Sequence, residues 1–228
     1  IDADGFSDVL VGAPCAPRAS ATAPCGGGRV YYYRGGAFSI QMAATQVLDA
    51  PGGVEGFGTA VAGAGDLNGD GRADVVVAAP AMAGSVFVYL TGRDGRLMTP
   101  PTRLQVMGAT NFGQTVASAG DVNADGYSDL LVASPSASTA WLFAGASAGL
   151  TTTPTTTWTA PGSPMTMSLF GATGASAGDV NRDGFSDVVV GDPVGAGLVN
   201  VYAGSMAGAS GTPSSSVRGA AGEMLGAA

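Results

Sequence analysis

One short segment is written four times along this chain, and it restricts what the chain can fold into more than any other feature does. The copies are IDADGFSDVLVGAP from Ile1, GDLNGDGRADVVVAAP from Gly65, GDVNADGYSDLLVASP from Gly120 and GDVNRDGFSDVVVGDP from Gly178. Their closing aspartates are Asp8, Asp74, Asp129 and Asp187, so the unit recurs after 66, 55 and 58 residues. Self-similarity at such a period is the mark of stacked supersecondary units, each too small to bury its apolar face alone.

The flanks repeat too. An FG pair precedes the aspartates at Phe57-Gly58, Phe112-Gly113 and Phe170-Gly171. After each aspartate-rich loop comes a β-branched run (VLV, VVV, LLV, VVV) closed by Pro14, Pro80, Pro135 or Pro193, which reads as a buried strand. A further strand follows a variable loop in GRVYYYRGG, GSVFVYLTG, TAWLFAG and LVNVYAG, and a weaker one lies around 45–48, 102–106, 155–159 and 214–218. With the FG segment that makes four strands per unit, the size of one propeller blade. Helical periodicity is scarce, so an all-β chain is expected.

Charge is concentrated in the repeated loops. Of 15 aspartates, 12 lie in them; the formal net charge is −8, and the nine basic residues are all arginine. That balance argues against nucleic acid as a partner. Four divalent cations would bring the charge to about zero. Counting Asp121 as position 1, side-chain oxygens fall at positions 1, 3, 5 and 9: Asp121, Asn123, Asp125 and Asp129. A hard cation of calcium's size takes six to eight oxygens, and a curling chain supplies alternate side chains plus a backbone carbonyl at position 7, here that of Tyr127. Gly126 provides the sharp turn. The same roles fall to Asp66, Asn68, Asp70, Asp74 and the Arg72 carbonyl, and to Asp179, Asn181, Asp183, Asp187 and the Phe185 carbonyl. The first copy offers Asp2, Asp4, Asp8 and the Phe6 carbonyl, without a position 1. The alternative is a set of turns that merely favour aspartate, but such loops without counter-ions repel themselves. EF-hands are excluded because position 12 is Val77, Val132 or Val190 inside a strand-like run rather than a glutamate. Dockerin-like loops lead into a helix, which this context lacks.

FG, then DxNxDGxxD, then a GAP-like tripeptide resembles the FG-GAP repeat of the integrin α-subunit β-propeller and its bacterial relatives, across essentially the whole chain. GAP is intact only at Gly12-Ala13-Pro14, and Leu225-Gly226 stands where a last FG would be. The resemblance implies four-stranded blades, with structural Ca²⁺ in the loops joining the first and second strands: three full sites and one truncated one. It divides the chain into repeats at 1–56, 57–111, 112–169 and 170–224, with 225–228 opening another. The expected fold is a single propeller domain of about four blades, either a fragment of a larger propeller or half of an eight-bladed ring formed by a homodimer.

Strand parity puts the loops from strand two to three and from strand four to one on the face opposite the aspartate loops. These loops vary while the scaffold repeats, which marks a binding surface. They comprise 15–25, 81–84, 136–139 and 194–197 with 50–56, 107–111 and 160–168. Asp192 and Arg18 are charged candidates there, each more simply read as an exposed charge with no role; Trp141 and Trp158 offer rings for a sugar, but Trp141, flanked by Ala140 and Leu142 in a strand, reads first as packing. The resemblance implies an extracellular or cell-surface module for adhesion or protein recognition; the alternatives are a calcium-dependent lectin binding glycans, or an accessory domain of an extracellular enzyme. Catalysis by the chain itself is not expected, because there is no histidine and no carboxylate pair outside the loops at a catalytic spacing. No apolar run reaches the roughly 18 residues of a membrane span, and no basic start followed by an apolar stretch marks a signal peptide. Cys15 and Cys25 are either a disulfide, worth roughly 2–3 kcal/mol by loop closure and implying an oxidising compartment, or two thiols.

Overall fold

The structure is a computed structural model that describes residues 1–16, 27–160 and 168–227. Its strands form four antiparallel meanders in chain order. The first holds β1 (Val9–Ala13), β2 (Arg29–Tyr33) and β3 (Gln46–Asp49), and the second β4 (Ala60–Gly65), β5 (Asp74–Ala79), β6 (Ser85–Tyr89) and β7 (Thr102–Leu104). The third begins with β8 (Thr115–Gly120), β9 (Asp129–Ser134) and β10 (Thr139–Phe143). A small hairpin of β11 (Gly145–Ala146) and β12 (Gly149–Leu150) then precedes its outer strand β13 (Thr156–Thr159). The fourth holds β14 (Thr173–Gly178), β15 (Asp187–Asp192), β16 (Leu198–Tyr202) and β17 (Ser215–Arg218). Helix among the described residues amounts to a three-residue 3₁₀ turn, Pro135–Ala137. The all-β expectation holds, and these sheets are the blades of a β-propeller.

The valine-rich runs are buried strands because both of their faces are used. Side chains alternate across a sheet, so in β5 Val75 and Val77 join Val30, Tyr32, Phe57 and Tyr89 in one core, while Val76 and Ala78 join Leu130, Val132, Trp141 and Phe143 in the next. A third core forms between the last two blades around Leu131, Leu142, Trp158, Phe170, Val188 and Tyr202. The first strands of the second, third and fourth blades are rich in glycine and alanine, and these strands, β4, β8 and β14, pack side by side where small side chains permit close approach. At the ends of the arc one sheet face stays open, leaving Val9, Val11 and Val47 exposed on the first blade and Val217 on the last.

The structure gives the FG pair its physical reason. Phe57, Phe112 and Phe170 are fully buried, and Phe112 meets Trp141 and Phe143 edge to face with ring centroids 5.3 and 6.0 Å apart. The glycine that follows has a positive φ, 93° at Gly113, and a Cβ there would lie 2.7 Å from Val86. Leu225-Gly226 occupies the same seat on the fourth blade. Leu225 forms a parallel bridge with Gly197 as Phe112 does with Gly84, and the Thr173 hydroxyl donates to the Gly226 carbonyl as that of Thr115 does to Gly171.

Candidate metal centre

The aspartate loops share one backbone path. The glycine before position 1 adopts a positive φ where the register shifts at the end of β4, β8 and β14 (Gly65 77°, Gly120 73°, Gly178 68°). Position 6 is glycine in every copy, with φ of 89°, 84°, 89° and 92° at Gly5, Gly71, Gly126 and Gly184. Position 4 is left-handed as well, at Ala3, Gly69, Ala124 and Arg182. The sequence reading missed this second reversal; its one signal is the glycine at Gly69, since the other copies carry side chains there.

These reversals turn the side chains of positions 1, 3 and 5 toward one another. The amide of Asp70 donates to Asp66 Oδ1 at 3.1 Å and to Asn68 Oδ1 at 3.0 Å, placing those two oxygens side by side. Asp125 does the same to Asp121 and Asn123, and Asp183 to Asp179 and Asn181. Gly71, Gly126 and Gly184 donate to the other oxygen of the position-1 carboxylate, and Arg72, Tyr127 and Phe185 to the position-5 carboxylate. The first copy keeps the pattern from Asp2 onward: Asp4 N donates to Asp2 Oδ1, and Phe6 N to Asp4 Oδ1.

The position-9 aspartates are the anchors. Asp74 accepts from the Leu67 amide on one oxygen and from the Thr91 amide on the other, tying the start of the loop to the end of the third strand. Asp129 and Asp187 repeat this with Val122 and Gly145, and with Val180 and Gly204. Burial pushes the carboxyls of Asp74 and Asp129 up to about 6, and neighbouring carboxylates add to the rise while the backbone N–H groups oppose it. In the first loop Asp8 keeps the pattern, accepting from the Gly35 amide on one oxygen and from the Asp2 amide on the other. Arg34 Nε stands 2.7 Å from Asp2 Oδ2, an ion pair that is not aligned as a hydrogen bond.

Among the described residues, no group of three or more acidic, histidine or cysteine side chains stands as a ready-made metal cage. Convergence is nonetheless built in, every donor is an oxygen, and among the described residues no basic side chain forms an ion pair with the buried Asp74 or Asp129. That donor chemistry fits a hard divalent ion. Asp66, Asn68, Asp70 and Asp74 would hold one, with their counterparts in the other loops, and it would neutralise carboxylates that otherwise repel.

The opposite face is assembled as strand parity requires. The Asn111 amide donates to the Met82 carbonyl, and the Asn111 side chain to Ser136 Oγ, joining loops from three parts of the chain. A cavity of about 310 Å³ opens there, lined by Val54, Glu55, Met82, Ser85, Arg103 and Gln105 among others. Arg103 donates to Ser85 Oγ from Nε and Nη2, and its guanidinium lies 5.7 Å from the Phe87 ring centroid. Trp141 is a core residue as its strand setting indicates, packing on Phe112, whereas Trp158 is buried instead of being offered to a sugar: it packs on Tyr202 at 4.6 Å and donates to the Ser210 carbonyl. Asp192 is half-buried and engaged by its neighbours, accepting from the Ser168 hydroxyl and from the amides of Leu169 and Val194. Arg18, Cys25 and 161–167 lie outside the described residues; Cys15 is not a free thiol. No helix among the described residues is long and apolar enough to cross a membrane.

The profile of the FG-GAP-like repeat matches this chain at residues 1–77, 66–132 and 121–190. The chain belongs to the FG-GAP-like repeat family. Among similar proteins, integrin alpha-PS5 of Drosophila melanogaster is 34% identical over 160 residues, which cover 65% of this chain and 16% of that protein. Mouse integrin alpha-IIb is 35% identical over 169 residues (64% and 16%), and human integrin alpha-6 is 32% identical over 162 residues (67% and 14%). This FG-GAP chain therefore spans only a small part of the length of those relatives.

Proposed function

We propose that the chain is an extracellular, calcium-stabilised propeller module that recognises a macromolecule through the face opposite its aspartate loops, in adhesion or protein recognition. Three loops with convergent oxygen donors and a repeated backbone path support the calcium assignment. In it the ions are held by the side chains named above with the carbonyls of Phe6, Arg72, Tyr127 and Phe185. The relatives are integrin α subunits, which supports a binding role over an enzymatic one. A Cys15–Cys25 disulfide would suit the compartment.

The observation that carries the reading of the surface is the cavity beside Arg103, built from variable loops of two blades and holding a guanidinium braced by Ser85 and Phe87. A protein ligand suits that face better than a glycan, because the tryptophans that would stack on a sugar are buried. The open valine faces at the ends of the arc suit a further blade or a second copy, as in a homodimeric ring.

Retention on immobilised extracellular-matrix proteins, with calcium or with chelator, tests this alongside a glycan array. Calcium-dependent retention that Arg103→Glu abolishes is the expected result. Binding to one sugar class and to no protein would replace this reading with the lectin.

A further inference from the structure

We infer that the aspartate loops at Asp66 and Asp121 are composite sites, each completed by the blade that follows, so that ion binding in one blade fastens the next. The inference rests on the calcium reading above and assigns new roles to Ser128, Ala146, Ser186 and Ser205.

Position 1 carries the carboxylate that gathers the loop, and its own peptide is held from outside the blade. The Ser128 amide donates to the Asp66 carbonyl at 2.7 Å, and the Ala146 amide to the Leu67 carbonyl at 3.0 Å. One blade further on, Ser186 donates to Asp121 at 2.9 Å and Ser205 to Val122 at 3.1 Å. The fit is close: a Cβ on Gly65 would come within 2.3 Å of Ser128 Oγ, and one on Gly69 within 2.8 Å of the Tyr127 ring. Leu67 and Val122, at position 2, are fully buried in the cores shared with the following blade. Val180 holds the same position in the fourth loop and is 59% exposed.

The contacts also link one loop to the next. The Leu67 amide bonds Asp74 and the Leu67 carbonyl accepts from Ala146, whose neighbour Gly145 donates to Asp129. The path continues from Asp129 through the Val122 peptide to Ser205, with Gly204 donating to Asp187. The steps alternate between an amide that donates to a carboxylate and an amide that donates to a backbone carbonyl. An ion that fixes the position-1 and position-9 carboxylates thereby fixes the carbonyls that the next blade reads, and by linkage a docked blade raises the affinity of the loop before it.

Residue-resolved amide exchange by NMR on the whole chain, with saturating calcium or with chelator, tests this, and mass spectrometry counts the ions bound. The expected result is that exchange of the Ala146 and Ser205 amides, which lie outside every aspartate loop, slows at least tenfold with calcium. Asp66→Asn should abolish the effect at Ser128 and Ala146 while sparing Ser205. Should that variant not fold, the wild-type exchange at Ala146 and Ser205 decides alone. Calcium uptake with slowing confined to the loops would overturn the inference and leave the metal reading intact, whereas no uptake at all would overturn both.

Discussion

Replacing Phe112 with alanine removes a ring that is fully buried between the second and third blades. It contacts Trp141 at 5.3 Å and Phe143 at 6.0 Å, both edge to face. Truncation of a buried phenylalanine costs about 3–5 kcal/mol, the spread reflecting how far the site can collapse. Collapse is opposed here because the ring is held on both sides, by Val76, Ala78 and Val86 of one blade and Leu130 and Val132 of the next, so the upper half of that range is expected. A domain's whole stability is about 5–15 kcal/mol, so the variant should lose roughly a quarter of it or more. Urea unfolding followed by tryptophan fluorescence suits the question, since Trp141 touches the deleted ring. The midpoint should fall sharply with the slope unchanged. A loss below about 1 kcal/mol would refute the view that the FG phenylalanine is the pin of each inter-blade core.

Three further expectations follow from the same geometry. Leu225→Ala, at the equivalent seat but only half covered, should cost about 1 kcal/mol, measured in the same urea titration. Gly145→Ala places a Cβ 2.3 Å from the Ser128 carbonyl and 2.9 Å from that of Leu67, and should lower stability by about 1–3 kcal/mol; thermal unfolding would read the loss. With calcium chelated, the native state binds more protons than the unfolded one between the ordinary aspartate range and about 6, because burial raises Asp74 and Asp129. Their contribution should therefore make the chain less stable as pH rises from about 4 to 6, and calcium should reverse that slope; denaturant midpoints across the interval give the sign.

Much of this architecture was legible because it is written several times over. The valine-rich runs ended by proline became β1, β5, β9 and β15, and the weak outer-strand signals at 102–106 and 214–218 became β7 and β17. Parity then placed the variable loops on one face, which the bonds of Asn111 to Met82 and Ser136 bear out. What could not be read are features set by neighbours in space. Arg34 meets Asp2, and Asn200 takes a place opposite Val190 where other blades put Phe87 or Trp141. Asn200 Oδ1 accepts from Ser216, a partner no local pattern announces. The exposed-ring reading of Trp158 failed for the same reason, since its cover comes from Tyr202 and Ser210 in another blade. The β11–β12 hairpin went unforeseen because two-residue strands leave no periodicity.

Calcium in the aspartate loops is the central claim, and native mass spectrometry of the whole chain with and without calcium tests it most directly. Three or four ions per chain are expected, falling by one when Asp121 and Asp125 are both changed to alanine. A chain that takes up no calcium would contradict the account, and with it the reason why 12 aspartates sit in four loops of a protein that has so few charges elsewhere.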